Sequence, residues 1–390
     1  MKNSVNKVIK SNSCFKCGMC KSVCPFDAIS VNANEKTGFY DIKIDPALCK
    51  NCSKCLKTCP ANNVQPKSTG APLGNYRELF LAHSLNDNVR TMATSGGAVN
   101  SLVRYMIDKD IVDSVLMIQE DINSVFNLSA VKITKENCAT LLNTPRKFAS
   151  RYTSYPLLSE FKKENGERMA VVGTPCQIKA VRELDVFKIG IACSGAISYN
   201  ATKIIKNRYA GEDYHIYYRG KGWSGYNSLE KDGTVIETKH LGSNFEKLFS
   251  SQIFKNPACC SCDDHFAKDA DISFFDFWNS EEMKKEKIGN SAVIIRSEKA
   301  EQIFNGAVKE KYIEIQQTIS EADAVKTQTL PLLFKEEKIG KKFPLNIYLK
   351  AIEKINASGF YNKLSIKQMQ LFSKLFRKIL NLTKRIHKIK

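Results

Sequence analysis

The chain has 390 residues, enough for two or three domains with a true core. Its 43% hydrophobic content is ordinary for a water-soluble globular protein, and it holds no run of about 18 apolar residues that could cross a bilayer. The net charge is +19, but no Asp or Glu occurs from Lys354 onward, so the excess is gathered at the C-terminal end and no broad nucleic-acid surface is expected.

Residues 1–13 contain no apolar run of signal-peptide length, and the 14 cysteines are concentrated in motifs. Together these predict metal ligands in a reducing, cytoplasmic compartment. The first motif runs Cys14-Phe-Lys-Cys17-Gly-Met-Cys20-Lys-Ser-Val-Cys24-Pro25 and repeats as Cys49-Lys-Asn-Cys52-Ser-Lys-Cys55-Leu-Lys-Thr-Cys59-Pro60. Each half is the C-x2-C-x2-C-x3-C-P run that holds 4Fe-4S cubanes in bacterial-type ferredoxins. Three cysteines at every third position wrap one cluster, and the fourth reaches the other. The expected ligand sets are therefore Cys14, Cys17, Cys20 and Cys59 for one cluster, and Cys49, Cys52, Cys55 and Cys24 for the second. Zinc accounts for paired C-x2-C units but not for the third cysteine and the Cys-Pro, twice over. Short strands at Ala28–Val31 and Phe39–Ile44 are expected around a turn at Asn34–Gly38.

A Pro- and Gly-rich linker at 66–75 separates this module from the rest of the chain. Leu79–Ala82 reads as a buried strand. Ser95-Gly96-Gly97 opens a helical pattern over Ala98–Ile107 with Ser95 as the expected N-cap. Free N–H groups in such a turn can bind phosphate, though the glycines equally well just start a helix. Ile111–Ile118 reads as a strand; residues 120–168 carry little signal. Met169–Val172 runs into Gly173-Thr174-Pro175-Cys176-Gln177, with a helix expected over Gln177–Glu183. Phe187–Ala192 is a further strand, ending at Cys193-Ser194-Gly195. Strand, turn, helix, strand is an α/β arrangement that places ligands at strand ends. Cys176 has two readings, a site thiol or a small buried hydrophobe.

β-hairpins are expected over Tyr214–Glu237. Gly220-Lys-Gly222-Trp-Ser-Gly225 matches G-x-G-x-x-G, but strand-like sequence comes after it, so a turn is expected rather than a dinucleotide site. Cys259 and Cys262 form a ligand-spaced pair with Cys260 as a bystander, and Cys176 and Cys193 could complete a four-thiolate site for a third cluster. Cys138 is expected in a core. Ser291–Arg296 and Tyr312–Ile315 read as strands flanking a helix at Lys299–Lys309. The tail from Leu364 to Ile389 places Met369, Phe372, Phe376, Ile379 and Ile386 among Lys and Arg. Such a basic amphipathic helix can lie on an anionic membrane, cap the core or bind an acidic partner.

The order of these motifs resembles the family of coenzyme F420 hydrogenase/dehydrogenase beta subunits, in its form with an N-terminal ferredoxin domain. The motifs are the dicluster run, Thr-Ser-Gly-Gly, Gly-Thr-Pro-Cys-Gln, Cys-x-Gly, Pro-x-Cys-x2-Cys and Ala-Asp-Ile-Ser-x3-Asp-Phe-Trp, spanning about residues 14–320. Family members commonly continue Asp-Phe-Trp-Gly, where this chain has Asn279, and bacterial relatives often have Cys-His-Gly, where it has Ser194. The resemblance implies FAD beside a core cluster, with Ser95, Gly96, Gly97, Gly173, Thr174 and Pro175 near the flavin and Cys176, Cys193, Cys259 and Cys262 as cluster ligands. The implied fold class is α+β/α/β. A dicluster ferredoxin-like domain (1–65) and the linker precede a mixed α/β flavin-binding core (76–325) and a helical basic tail (326–390). The implied activity is electron transfer between a two-electron organic partner, F420-like or other, and 4Fe-4S clusters. The alternative is an electron-transfer or accessory subunit without its own substrate site, in surface-polysaccharide biosynthesis. A redox partner protein or small-molecule donor is the expected partner, with no nucleic acid and a peripheral contact at the inner membrane face as one reading of the tail.

Overall fold

The computed structural model describes residues 3–62, 71–121, 123–139, 155–209, 211, 213–239, 241–278, 280–358 and 364–389. The first half of the expected linker thus lies outside the described residues. Its end is packed rather than loose: Leu73 is fully buried, and its carbonyl accepts from Arg296 at 3.0 Å.

The N-terminal module is built around one hairpin, β1 (Ile29–Asn34) and β2 (Phe39–Ile44), paired antiparallel from Ile29↔Ile44 to Asn34↔Phe39. Val5, Ile29 and Ile42 form a small core with Cys20 and Cys55. The hairpin turn is also where the module meets the rest of the chain. The Tyr199 N–H donates to the Gly38 carbonyl at 2.9 Å, and the Ser198 hydroxyl to the Thr37 carbonyl at 2.6 Å. A second joint lies at Gly18, whose φ is +91° and where a Cβ would meet the Ser159 nitrogen at 2.5 Å.

The main body is one eight-stranded sheet. Its strands are β3 (Glu78–Ser84), β4 (Ser114–Glu120), β5 (Leu128–Ile133), β6 (Met169–Gly173), β7 (Phe187–Ile191), β11 (Ile272–Asp276), β12 (Ser291–Ile295) and β13 (Ile313–Thr318). They lie in the order β13-β3-β12-β11-β7-β6-β4-β5. The central block β4-β6-β7-β11 is parallel, and every pairing outside it is antiparallel. The central strands read as near-continuous apolar runs because both faces are covered. The helices Ala98–Asp108 and Glu298–Lys309 cover one face, packing Leu102, Met106 and Phe304, together with the buried Cys138, onto Val115, Ile189 and Val293.

A second sheet, β8 (His215–Gly220), β9 (Tyr226–Lys231) and β10 (Thr234–Lys239), is antiparallel throughout. The G-x-G-x-x-G segment is its first turn, as its sequence context implied.

Two local expectations are corrected. Ser95 does not cap the helix Ala98–Asp108; Gly97, at φ +73°, occupies the N-cap, and the Ser95 hydroxyl donates to the Asn290 carbonyl at 2.8 Å. Two consecutive glycines let the chain insert a left-handed turn before the helix begins. The helix expected from Gln177 starts earlier, at Pro175. Thr174 and Gln177 form a capping box there, with the Thr174 N–H donating to Gln177 Oε1 at 2.8 Å.

The C-terminal segment is helical, with Glu321–Thr327, Thr329–Lys335, Leu345–Ser358 and Ile366–Ile386. It is part of the core rather than a loose tail. Phe334, Tyr348, Ile352, Met369, Phe376 and Leu380 are buried in the same apolar cluster as Ile204, Leu248 and Phe254.

Candidate functional site

The two N-terminal cysteine loops share one backbone course. Lys16 (φ 62°) and Gly18 (91°) in the first correspond to Asn51 (53°) and Ser53 (66°) in the second. Left-handed residues at alternate positions turn backbone N–H groups inward, which suits an anionic guest. The Lys16 N–H already donates to Cys14 Sγ at 3.4 Å.

The thiols separate into two groups. Cys14, Cys17, Cys20 and Cys59 line one cavity with Phe15 and Ile42; Cys24, Cys49, Cys52 and Cys55 line another with Phe26 and Ile44. The division matches the interleaved assignment made from spacing. Among the described residues, no three His, Cys, Asp or Glu side chains converge on a single ion site. A cubane takes each thiolate at its own iron, around a volume, and each of the two cavities holds four thiols. The donor set fits the cubane.

Burial pushes the Cys17 and Cys20 thiols far up and Cys59 up to about 11, and neighbouring thiolates add to the rise. Four such thiolates are sustainable only with compensating metal charge.

Four further thiols gather between the module and the main sheet. Cys176 stands just beyond β6, where the Thr174 hydroxyl lies 3.4 Å from its sulfur. Cys193 stands just beyond β7, its N–H donating to the His265 carbonyl at 3.0 Å. Cys259 lies in the short turn Pro257–Cys260, and its sulfur accepts from the Ala196 N–H at 3.4 Å. The Cys262 thiol donates to the Asp264 carbonyl, also at 3.4 Å. Burial raises Cys176 and Cys193 and pushes Cys259 up to about 12; Cys262 and Cys193 act on Cys176. Cys17 of the module also acts on Cys176, and Phe15 packs against Cys262 between the two groups. Cys260 lies apart, in a different cavity beside Gln252 and Lys341.

A cleft with a cavity volume of about 130 Å³ opens at the C-terminal ends of the parallel strands β7 and β11. Cys193 is in its wall, with Ser194, Gly195, Ser95 and Gly97. Gly96 is not; a Cβ there would strike the Ser291 nitrogen at 2.7 Å, so this glycine serves close packing on β12. Gly173, Thr174 and Pro175 do not line the cleft either. They set the position of Cys176.

Sequence reasoning missed the polar groups of the cleft. Arg219 is nearly fully buried. Its guanidinium meets Asp276 at 2.6 Å, donates to the Thr94 carbonyl at 2.5 Å, and lies 4.8 Å from the Trp278 ring centre and 5.3 Å from that of Trp223. Asn100 is 2% exposed, and both its amide atoms are buried without a hydrogen-bond partner among the described residues. His265 bridges the Cys193 carbonyl (3.1 Å) and the Gln328 side chain (3.0 Å), and burial lowers its pKa to about 4, so it stays neutral near pH 7. The Asp-Phe-Trp motif could have nominated Asp276 and Trp278. Asn100, Arg219 and Gln328 carry no local signal.

Two family signatures, both for the coenzyme F420 hydrogenase/dehydrogenase beta subunit, match consecutive segments. The signature of its N-terminal part matches residues 79–159, and that of its C-terminal part matches 166–321. The chain belongs to this family of beta subunits. A 4Fe-4S dicluster domain matches residues 13–63 ahead of them, so this family member is an iron–sulfur protein. Over 333 residues it is 26% identical to the F subunit of the F(420)H(2) dehydrogenase of Methanosarcina mazei, covering 78% of this chain and 85% of that one. It is also 26% identical over 263 residues to the coenzyme F420 hydrogenase subunit beta of Methanococcus voltae (62% and 85% covered). A third relative, the F420-dependent formate dehydrogenase subunit beta of Methanocaldococcus jannaschii, is 26% identical over 277 residues (67% of each). The fold is shared with a chain in the F420-reducing NiFe hydrogenase complex of Methanosarcina barkeri. The TM-score is 0.52 at 19% identity, covering 72% of this chain and 97% of that one.

Proposed function

We propose that the protein is an iron–sulfur flavoprotein. It would pass electrons between a two-electron organic partner at the cleft, of the F420 class named in its relatives, and a one-electron carrier at the N-terminal module. The observation that carries this reading is the linear order of the thiol groups. Cys193 walls the cleft and belongs with Cys176, Cys259 and Cys262; Cys17 adjoins Cys176; Cys20 and Cys59 adjoin Cys55; and Cys52 is exposed at the far end. A free-standing ferredoxin needs no such line running into a second domain.

A flavin, when bound, supplies hydride exchange on one side and single-electron exchange on the other. The cleft suits it by its place at the ends of parallel strands and by the buried Asn100 amide, which offers one donor and one acceptor to a ring system of alternating N–H and C=O groups. Arg219, clamped between Asp276 and the Thr94 carbonyl, holds a fixed positive charge at the wall. Neutral His265 fixes the Cys193 loop. No side chain is assigned to proton transfer. A subunit without its own substrate site would leave the cleft and its unpaired amide without purpose.

The test is an anaerobic count of iron, sulfide and flavin per chain. About twelve irons and one flavin are expected, on four irons per cubane. About eight irons with no affinity for flavin overturns the reading.

We also propose a peripheral contact with an anionic membrane surface. No described helix is long and apolar enough to cross a membrane. The helix Ile366–Ile386, however, buries Met369, Phe376 and Leu380 on one side and exposes Leu371, Leu375, Leu382 and Ile386 along the other. Lys367, Lys374, Lys378 and Arg385 flank that exposed stripe at helical spacing. Wild-type protein should sediment with anionic but not neutral vesicles, and Leu371→Glu with Leu382→Glu should abolish it; equal sedimentation of variant and wild type refutes the contact.

A further inference from the structure

A second cavity, of about 280 Å³ against about 130 Å³ for the cleft, opens between the turn Pro257–Cys260 and the C-terminal helices. A cavity of about 150 Å³ holds benzene, so this one admits a larger small molecule. The helix Leu345–Ser358 gives it Asn346, Leu349, Lys350 and Glu353, the i, i+3, i+4 and i+7 positions of one face. Lys341, at the end of the short helix Ile339–Lys341, joins them. Lys342, next in sequence, is paired with Glu337 at 3.7 Å; Lys341 and Lys350 meet no carboxylate among the described residues. Lys255 is also in the wall, but its ammonium stands 4.3 Å from the centre of the Phe334 ring. Asn346 spends its side-chain oxygen on the Ile347 N–H at 2.9 Å, which leaves its amide donors.

The acceptors of the wall are of another kind. Gln252 is 8% exposed and is held at φ +65°, an uncommon conformation for a residue with a side chain. Its Nε2 donates to the Phe249 carbonyl at 3.3 Å, while its Oε1 is buried with no partner among the described residues. A buried carbonyl oxygen without a donor is costly, and a ligand hydroxyl removes that cost. Glu353 gives one oxygen to Asn12 at 3.2 Å and keeps the other.

We propose that this cavity binds a small phosphate monoester that carries hydroxyl groups. The phosphate takes the Lys341 and Lys350 ammonium groups and the Asn346 amide, and a ligand hydroxyl donates to Gln252 Oε1. Two cations and an amide match a group that is nearly doubly charged and has three acceptor oxygens, which a carboxylate does not. The site is separate from the cleft, and its occupancy does not depend on how electrons move there.

Cys260 lines the cavity and is half-buried, so its alkylation reports occupancy. Iron-loaded full chain is treated anaerobically with iodoacetamide at constant ionic strength, and Cys260 is followed by peptide mass spectrometry. Equilibrium dialysis with radiolabelled glycerol 3-phosphate gives the affinity independently. At ten times its dissociation constant, glycerol 3-phosphate should slow alkylation about tenfold by mass action. Glycerol should have no effect, and inorganic phosphate should bind more weakly. Lys341→Gln with Lys350→Gln should weaken binding about tenfold or more, the scale of one lost charged contact. The exposed pair Lys374→Gln with Lys378→Gln should leave it unchanged. Gln252→Leu should erase the advantage of glycerol 3-phosphate over inorganic phosphate. Absence of saturable binding by dialysis overturns the proposal. So does binding that survives the Lys341 and Lys350 substitutions, or that the control pair loses equally.

Discussion

The N-terminal module and the main sheet hold cysteines in opposite ways. In the module, eight cysteines come from two contiguous loops, and the surrounding apolar core is little more than Val5, Ile29 and Ile42. Beside the sheet, four cysteines come from three separate segments, Cys176, Cys193 and the pair Cys259 and Cys262, each fixed by strand ends and capped turns. So small a module cannot bury enough surface to be stable by itself and depends on its metal. The sheet is stable first and presents thiols second. The difference separates a small unit with little core of its own from cysteines positioned by a large fold.

Removing the metal should break this comparison most visibly. Anaerobic chelation of iron is expected to abolish amide-exchange protection across residues 3–62 while β6, β7 and β11 keep theirs. Protection retained in β1 and β2 would mean that the module stands on its own hairpin. Next in size is Arg219→Ala. It leaves Asp276 without its buried partner and the Trp223 and Trp278 rings without their cation, for a cost of about 3–5 kcal/mol. Denaturant titration read by tryptophan fluorescence checks it, and a loss below about 1 kcal/mol would show the guanidinium to be solvated.

Gly18→Ala tests the joint between the halves. At φ +91° a Cβ is strained, and here it would also press on the Ser159 nitrogen and the Pro156 carbonyl. About 2 kcal/mol is expected, felt as separation of the two halves rather than unfolding of either. Small-angle scattering should show an increase in radius of gyration. An unchanged radius with lowered overall stability would place the strain inside the loop.

The same contrast explains what could be read from the sequence. The ferredoxin loops were legible because their cysteines recur at short fixed spacing, and β3, β6, β7 and β12 because doubly covered strands are largely apolar. The edge strand β5 was not, since Leu128–Ile133 alternates only weakly toward solvent. Ser95 misled because a serine before a helix usually caps it; the pull of a distant carbonyl, that of Asn290, has no local trace. Asn100, Arg219 and Gln328 converge from segments over 100 residues apart, and only the folded sheet brings them to one cleft. The C-terminal helix was recognised as amphipathic, but nothing in its pattern said that Met369 and Phe376 face the core while Leu371 and Leu382 face outward.

The smallest expected effect is in pH. None of the five histidines lies in the module, so any histidine-linked change in stability belongs to the sheet half. His83 on β3 is buried, its Nδ1 2.9 Å from Asn290 Oδ1. Burial first, and then the Arg90 charge, hold its pKa below the usual 6.5. Because the folded value is depressed, the unfolded chain binds more protons just below pH 6.5. Stability of the sheet therefore rises with pH through that window and falls as pH drops below it. His83→Gln removes this proton uptake and should flatten the slope while leaving stability at pH 8 nearly unchanged. Exchange protection of β3, compared at pH 5.5 and 7.5 after correction for intrinsic rates, reads it directly. A slope that survives the substitution would assign the effect to another buried group, with His265 beside Cys193 the first to examine.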